Sequence, residues 1–239
     1  MASVKKIVGD VVGKWLFREL FIEAIDDVAP RFRRLSLAGP DLKGVSFSAG
    51  DKVQVLLDAG FRTYTPFAFD AESGRMSFLV FDHGDTPGSV WGRNAKVGDS
   101  FRVFGPRGSL PLASWDTPAV IFGDETSFAV ARSLREHRGG VSTIRCVFEV
   151  SDMSAAATAV SALELQNADL VQRQPGDAHT GEVAARVRAA LEKSAGGKLA
   201  LTGKAQSIQS LQRELKAQPV SYAGQKAKAY WAPGKRGLD

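Results

Sequence analysis

The stretch AVIFGDETSFAVARSLREH, residues 119–137, places a short apolar run directly before an amphipathic one. AVIFG (119–123) has the length and the branched apolar residues of a buried strand, and SFAVARSLREH (127–137) has apolar residues at helical spacing. A strand followed this closely by a helix is the unit from which parallel sheets are built. The stretch therefore predicts an α/β sheet in the second half of the chain.

The same alternation continues toward the C-terminus. TIRCVFEV (143–150) and KLALTG (198–203) have strand patterns, and helices are predicted over 181–194 and 205–216. Strands that alternate with helices predict a parallel sheet covered by those helices.

The chain before residue 111 is patterned differently. Short segments rich in Val, Leu and Phe are separated by Pro, Gly and Asp, as strands joined by turns are. The predicted strands are 16–26, 31–39, 52–58, 75–82 and 100–106. Short helices are predicted over 4–16, from its apolar spacing, and over 87–96, which lacks strand alternation. The series indicates an antiparallel barrel or sandwich over residues 17–110.

Length and composition fit this division. The 239 residues allow one large domain or two small ones, and 44% hydrophobic with 24% charged residues is typical of globular proteins. The change of pattern near 111–117 predicts a β-barrel domain over 1–112 and an α/β domain over 113–239.

Several protein classes are disfavoured by the sequence. No apolar run approaches the ~20 residues of a membrane span, and the N-terminus lacks the uninterrupted apolar core of a signal peptide, which predicts a cytoplasmic protein. The single cysteine, Cys146, and three scattered histidines argue against a metal site.

The charge is unevenly distributed. The net charge is +5, and residues 186–239 hold eleven Lys and Arg against three acidic residues, which leaves the first 185 residues at −3. This asymmetry indicates an anionic ligand or partner near the C-terminal half, although a solvated basic face explains it equally well. No nucleic-acid-binding motif accompanies the basic residues, so no nucleic-acid partner is expected.

Five short motifs occur in order along the chain. They are RTYTPFAFD (62–70), DHGDTPGSVWGRNAKVGD (82–99), GPRGSL (105–110), FGDETS (122–127) and KAYWAPG (228–234). In this order they resemble the siderophore-interacting protein family, whose members are ferredoxin-reductase-like, FAD-containing ferric-siderophore reductases. The resemblance covers most of the chain and implies an antiparallel FAD-binding barrel followed by a parallel-sheet domain for NAD(P)H.

The resemblance implies roles for the first motif, which is expected to close the third strand of the barrel. Arg62 would meet the flavin pyrophosphate, with Thr63 beside it in the cofactor site. Tyr64 would lie against the isoalloxazine ring, and the Thr65 hydroxyl would sit near flavin N5. A guanidinium matches phosphate with two parallel hydrogen bonds, and a phenol ring can cover an aromatic plane. Tyr64 and Thr65 are the predicted catalytic residues.

The second motif is expected to bind the pyrophosphate as well. Thr86, Pro87, Gly88 and Ser89 would begin a short helix whose free N–H groups and positive dipole end receive it. His83 is assigned to the same cofactor site, as a hydrogen-bonded residue rather than a base.

The fourth and fifth motifs are assigned to the nucleotide side. FGDETS follows the first strand of the predicted parallel sheet, where such sheets bind ligands. By resemblance, Asp124 and Thr126 lie at the flavin edge where nicotinamide docks, and helix N-capping explains the same residues without a ligand. Trp231 of the fifth motif is assigned to the cofactor site.

An anionic ferric siderophore is the expected substrate. The basic residues assigned to it are Lys52, Arg107, Lys228, Lys235 and Arg236. The chain departs from the family pattern at Phe67, Gln54, Lys204 and Ala232-Pro233, where the family tends to carry Arg, Lys, an acidic residue and a basic pair. These departures bear more on siderophore specificity than on FAD binding.

The sequence thus predicts an FAD-dependent ferric-siderophore reductase that passes electrons from NADH or NADPH through FAD to Fe(III) and releases Fe(II). The alternatives are a flavin reductase with another acceptor and a non-catalytic protein that binds FAD or a ferric chelate. A reduced ferredoxin also stays open as the electron donor.

Overall fold

The computed structural model describes residues 17–140 and 143–235. The helix expected over 4–16 and the substrate residue Arg236 therefore lie outside the described residues. Within the described part the chain forms two sheets, one antiparallel with seven strands and one parallel with five.

The antiparallel sheet is built from the first half of the chain. Its strands are β1 (Phe17–Ala29), β2 (Phe32–Ala38), β3 (Lys52–Leu57), β4 (Gly60–Tyr64), β5 (Pro66–Asp70), β6 (Arg75–Phe81) and β7 (Ser100–Arg107). Their order in the sheet is β4-β3-β7-β1-β2-β6-β5. The five strands expected from the sequence are confirmed, with β4 and β5 added between them.

The two outer strands bring the ends of this sheet together. β4 and β5 are joined in the chain through Thr65 alone. The Tyr64 ring on β4 stacks on Phe78 of β6, with 4.6 Å between centroids and 10° between planes. The sheet therefore curls around a core that includes Leu35, Val53 and Phe78, as the predicted barrel requires.

Helix α1 (Pro87–Asn94) packs across the barrel next to β6. A Cβ on Gly92 would clash with the Val80 side chain, so the close approach of helix and strand depends on this glycine. The helix predicted over 87–96 is confirmed.

The parallel sheet is built from the second half of the chain. Its strands are β8 (Ala119–Gly123), β9 (Ile144–Val150), β10 (Ala168–Gln172), β11 (Lys198–Lys204) and β12 (Gly224–Trp231), in the order β10-β9-β8-β11-β12. Helices α2 (Phe128–His137) and α3 (Met153–Ala162) cover one face, and α4 (Thr180–Lys193) and α5 (Ala205–Ala217) cover the other. The predicted order of an antiparallel barrel followed by a parallel sheet with helices on both faces is confirmed.

The two sheets meet through a shared apolar core. Phe32 of β2 stacks on Phe128 of α2, with 5.5 Å between centroids. Phe67, which stands where the related family usually has Arg, is buried in the same cluster. The predicted domain boundary between residues 112 and 113 lies in the connection between β7 and β8. Its exact position stays a prediction.

One expectation about the barrel was wrong. The first motif closes the fourth strand and not the third, because a tight turn at Asp58-Ala59 divides the segment 52–64 into the hairpin β3–β4. None of the helices in the described ranges has the length and apolar character needed to cross a membrane.

Candidate functional site

The first and second motifs meet in space. Side chains alternate along a strand, so Arg62 and Tyr64 share one side of β4 while Thr63 is exposed on the other. The N-terminus of α1 lies against them. A Cβ on Gly88 would lie 3.2 Å from the Tyr64 hydroxyl oxygen and 3.6 Å from Arg62 Cδ. The absence of a side chain at this position therefore lets the helix start pack closely against the strand.

Arg62 is charged and held by neutral groups. Its guanidinium donates to the carbonyl oxygens of Phe61, at 2.6 Å, and Ala59, at 3.5 Å. Because neither acceptor carries a charge, the guanidinium can still pair with an anion. The Arg62 charge and the positive end of the α1 dipole both favour an anionic group at this point.

The N-cap residue of α1 does not hydrogen-bond to the free N–H groups at the helix start. Thr86 is the N-cap, but its hydroxyl makes no bond to a backbone N–H of the helix. It donates instead to Ser89 Oγ, at 3.1 Å, and lies 3.4 Å from His83 Nε2. A threonine at this position normally satisfies one of the first N–H groups. Here the free backbone N–H groups at the helix start stay available to other acceptors, such as the oxygen atoms of an anion.

The Tyr64 and His83 side chains of this site stay neutral. Burial raises the pKa of the Tyr64 phenol, and the nearby Arg62 charge only partly opposes that effect. Burial also lowers the pKa of His83, with Asp82 acting in the opposite direction. Tyr64 is therefore a neutral phenol and His83 a neutral imidazole near pH 7, which leaves Arg62 as the charged member of the group.

The fourth motif forms a buried turn at the carboxyl end of β8. Asp124 is 1% exposed, and its Oδ1 accepts from the Thr126 N–H at 2.9 Å and from the Thr126 hydroxyl at 2.5 Å. Its Oδ2 accepts from Trp231 Nε1 at 2.7 Å. Burial raises the pKa of Asp124, against the hydrogen bond from Thr126 and the charge of Arg173. Asp124 therefore caps the turn and also joins it to β12.

A group of buried charges beside this turn was missed from the sequence. Arg173 follows β10 and pairs with Glu125 at 2.6 Å, with Glu149 of β9 lying 3.5 Å from its Nε. Glu149 also contacts His179 Nε2 at 3.0 Å. The signal was present in the sequence, because charged residues at or after the ends of neighbouring parallel strands meet at one sheet edge. Among the described residues, no group of three or more His, Cys, Asp or Glu side chains is placed to hold a metal ion.

The predicted substrate residues are divided between the two sheets. Lys52, only 5% exposed, pairs across the barrel sheet with Arg107. Arg107 donates to Gln54 Oε1 and lies 4.8 Å from the centroid of the Phe104 ring. Lys228 lies on β12 beside β11, and Lys235 is exposed beyond its end. Their shared role toward an anionic substrate stays a prediction.

The comparison with known families matches the part of the chain that contains the barrel motifs. Residues 58–110 match the model of the siderophore-interacting FAD-binding domain. The match confirms the resemblance for the first three of the five motifs, which lie within these residues. The matched segment contains β4, β5, the start of α1 and the whole group around Arg62 and Gly88.

Solved structures share the fold over nearly the whole chain. A siderophore utilization protein from T. fusca is 24% identical, covers 93% of this chain and 95% of its own, and has a TM-score of 0.68. The siderophore-interacting protein SipS from Aeromonas hydrophila is 20% identical over 92% and 93%, with a TM-score of 0.70. Phthalate dioxygenase reductase, described as transferring electrons from pyridine nucleotides to a 2Fe-2S centre, is 17% identical over 93% and 71%, with a TM-score of 0.71. The match and the fold together support a flavin-dependent electron-transfer role.

Proposed function

We propose that this protein is an FAD-dependent ferric-siderophore reductase that takes its electrons from NADH or NADPH. The observation that carries the proposal is the meeting of Arg62 and Tyr64 with the uncapped start of α1 at Gly88. This group lies inside the segment that matches a siderophore-interacting FAD-binding domain.

The residues present fit FAD. Arg62 and the backbone N–H groups at the start of α1 would hold the pyrophosphate, which FMN lacks, and the absence of a side chain at Gly88 would let that group approach the helix backbone. Tyr64 would lie along the isoalloxazine ring, with the Thr65 hydroxyl at its reactive edge. When bound, FAD supplies the conversion of a two-electron hydride donor into a source of single electrons.

The other sheet would supply the nucleotide side. Asp124, Thr126 and Trp231 lie together at the carboxyl end of the parallel strands, where α/β sheets bind their ligands. Thr126 is partly exposed, so its hydroxyl can meet a nicotinamide amide group while the buried Asp124 holds it in place.

The acceptor would be Fe(III) in an anionic siderophore. Fe(III) binds hard oxygen ligands much more tightly than Fe(II), so adding one electron releases the metal. One hydride carries two electrons, so each nicotinamide oxidised would reduce two ferric chelates. The protein would contribute binding, orientation and charge attraction.

Two measurements on the purified protein test this function. FAD is expected on the protein after reconstitution, identified by mass after heat release, and its absorbance is expected to bleach under anaerobic NADH or NADPH. Adding a ferric siderophore should restore the absorbance and yield two Fe(II) per nucleotide, measured with a ferrous chelator.

The alternatives give different results. Bleaching without reoxidation by ferric siderophores, but with rapid reoxidation by another acceptor, would make the protein a flavin reductase of another kind. Bound FAD that neither nicotinamide nor reduced ferredoxin bleaches would make it a binding protein. Recovery of FMN, or of no flavin, would overturn the cofactor assignment.

A further inference from the structure

Strand β5, which continues the chain from the predicted flavin strand β4, contains a bulge. The register pairs Phe67 with Ser77 of β6 and Asp70 with Arg75, so β5 advances three residues while β6 advances two. Ala68 lies inside this bulge with a φ of +48°, a backbone conformation that residues other than glycine rarely adopt. Such a conformation persists only where neighbouring contacts hold it, and bulges are frequent beside active sites.

A carboxylate from the parallel-sheet half of the molecule holds this bulge. The Ala68 N–H donates to Glu136 Oε2, near the end of α2. Hydrogen bonds from a backbone N–H to a carboxylate are among the stronger ones in proteins. The neighbouring Phe67 side chain is 2% exposed and belongs to the apolar core that the two sheets share. A polar and an apolar contact therefore attach β5 to the other sheet and its helices.

Glu136 is itself held in place within α2. Arg132, one helical turn earlier, donates from Nε to Glu136 Oε1 at 3.0 Å. Arg132 and Arg135 each also pair with Glu164 at 2.6 Å. The two carboxylate oxygens of Glu136 thus have separate partners, Arg132 for Oε1 and the Ala68 N–H for Oε2.

Helix α2 connects the two predicted halves of the reaction site. Its first residue, Phe128, directly follows the turn that contains Asp124 and Thr126, and Glu136 lies one residue before its end. The ten residues of α2 span about 15 Å. One end of α2 therefore adjoins the predicted nicotinamide contacts, and the other end contacts the strand that continues from Thr65.

We propose that Glu136 is a positioning residue that sets the separation between the bound nicotinamide and the flavin. This inference rests on the proposed function, in which Thr65 faces the flavin and Thr126 faces the nicotinamide. Glu136 touches neither ligand. It holds β5 through the Ala68 N–H and so fixes Thr65 relative to the turn at the other end of α2. Transfer of a hydride depends steeply on this separation, because a misplacement of about 1 Å can cost about 100-fold in rate.

A purely structural role predicts a different result. If the bond between Glu136 and Ala68 only joins the two halves of the molecule, its loss lowers the stability to heat, and the folded protein still reduces its flavin at the parent rate. If Glu136 positions the flavin strand, the rate falls in protein that is folded and saturated with FAD.

The experiment uses the full chain as the parent, Glu136→Ala and Glu136→Gln. Each protein is saturated with FAD, and the rate of flavin bleaching at saturating NADH or NADPH is measured by anaerobic stopped flow. Glu136→Ala is expected to lower this rate at least about 10-fold, while the KM for the nucleotide changes less than about 3-fold. Glu136→Gln keeps the shape of the side chain, so it should fold even where Glu136→Ala does not. Its single acceptor oxygen cannot serve both Arg132 and Ala68, so it should still lower the rate at least about 3-fold.

A second measurement needs no FAD. Amide hydrogen exchange in the apoprotein reports how firmly β5 is held. The peptide covering residues 66–70 should exchange at least about 10-fold faster in Glu136→Ala than in the parent, because the Ala68 N–H has lost its acceptor. Parent-like exchange there would show that Glu136 does not hold the bulge and would overturn the positioning role.

The matched control is Glu164→Ala, which removes a carboxylate from the same group of ion pairs and leaves the bond between Glu136 and Ala68 in place. It should keep both the bleaching rate and the exchange of β5 within about 2-fold of the parent. A parent-like rate in folded Glu136→Ala or Glu136→Gln, or equal slowing in Glu164→Ala, would overturn the positioning role alone. If neither NADH nor NADPH bleaches FAD on the parent, both the proposed function and this inference fail.

Discussion

The proposed pyrophosphate site brings Arg62 and Gly88 together. Arg62 hydrogen-bonds to the uncharged carbonyl oxygens of Phe61 and Ala59, and Gly88 lets the helix start pack closely against Arg62. Both residues were chosen from the sequence through their motifs. Their closeness was expected because both motifs were assigned to the flavin pyrophosphate, and in the structure a Cβ on Gly88 would lie 3.6 Å from Arg62 Cδ.

Arg62→Ala should weaken FAD binding roughly 10- to 150-fold, because a hydrogen bond to a charged group contributes about 1.5–3 kcal/mol. Titration of the apoprotein with FAD measures the change. Arg102→Ala is the matched control, since Arg102 also lies on a barrel strand but its guanidinium lies 5.8 Å from the Phe17 ring centroid. Equal losses in the two variants would place the pyrophosphate elsewhere.

Gly88→Ala should separate folding from binding. Gly88 is buried at the start of α1, so crowding by the added methyl group opposes the gain in helix propensity, and the stability of the apoprotein to heat should change little. The added methyl group fills the space 3.2 Å from the Tyr64 hydroxyl oxygen, so FAD affinity should fall. Gly181→Ala in α4, where a Cβ meets nothing within 4 Å, is the control and should leave affinity unchanged. Unchanged affinity in Gly88→Ala would show that the ligand does not approach this residue.

At the scale of elements, prediction from sequence succeeded where a segment had a clear apolar pattern and clear boundaries. The strand at 119–123 was predicted with its observed limits, because it is short, apolar and bounded by Pro118 and Asp124. Helix α3 was missed because its small residues, SAAATAVSA, show little contrast between faces. Strands β10 and β12 were missed because polar residues interrupt them, and only pairing with β9 and β11 makes them strands.

The two N-caps should respond differently to substitution. Asp152 accepts from the Ala155 N–H at 3.0 Å and closes the start of α3, whereas Thr86 makes no such bond at α1. Asp152→Ala should therefore lower the free energy of unfolding by about 1 kcal/mol, a typical value for a lost cap. Thr86→Ala should lower it less, as measured by denaturant unfolding of the apoproteins. A larger loss for Thr86→Ala would mean that α1 is capped after all.

At the scale of the whole molecule, contacts between residues far apart in the chain join the two sheets. Phe32 stacks on Phe128 in the shared core, Arg31 of the β1–β2 turn donates to Ser151 Oγ at 3.4 Å, and the Ala68 N–H of β5 donates to the Glu136 carboxylate of α2. The order of the motifs predicted that the antiparallel sheet precedes the parallel sheet in the chain. These contacts between the sheets join residues 68 to 120 positions apart in the chain, and no local pattern contains that information.

The uneven charge of the chain gives the last prediction. Lys228 lies near the carboxyl end of β12 and Lys235 just beyond it, in the half of the chain that carries the excess of basic residues. If they attract an anionic ferric chelate, they act mainly on the rate of association, which salt screens over about 10 Å at 0.1 M. Replacing both with Gln should lower the second-order rate of siderophore reduction and flatten its dependence on salt, while flavin reduction by the nicotinamide stays unchanged. Lys193→Gln with Lys216→Gln removes the same charge at the last turns of α4 and α5, and should preserve the salt dependence of the parent. Equal slopes in all three proteins would show that the basic residues of β12 form only a solvated face.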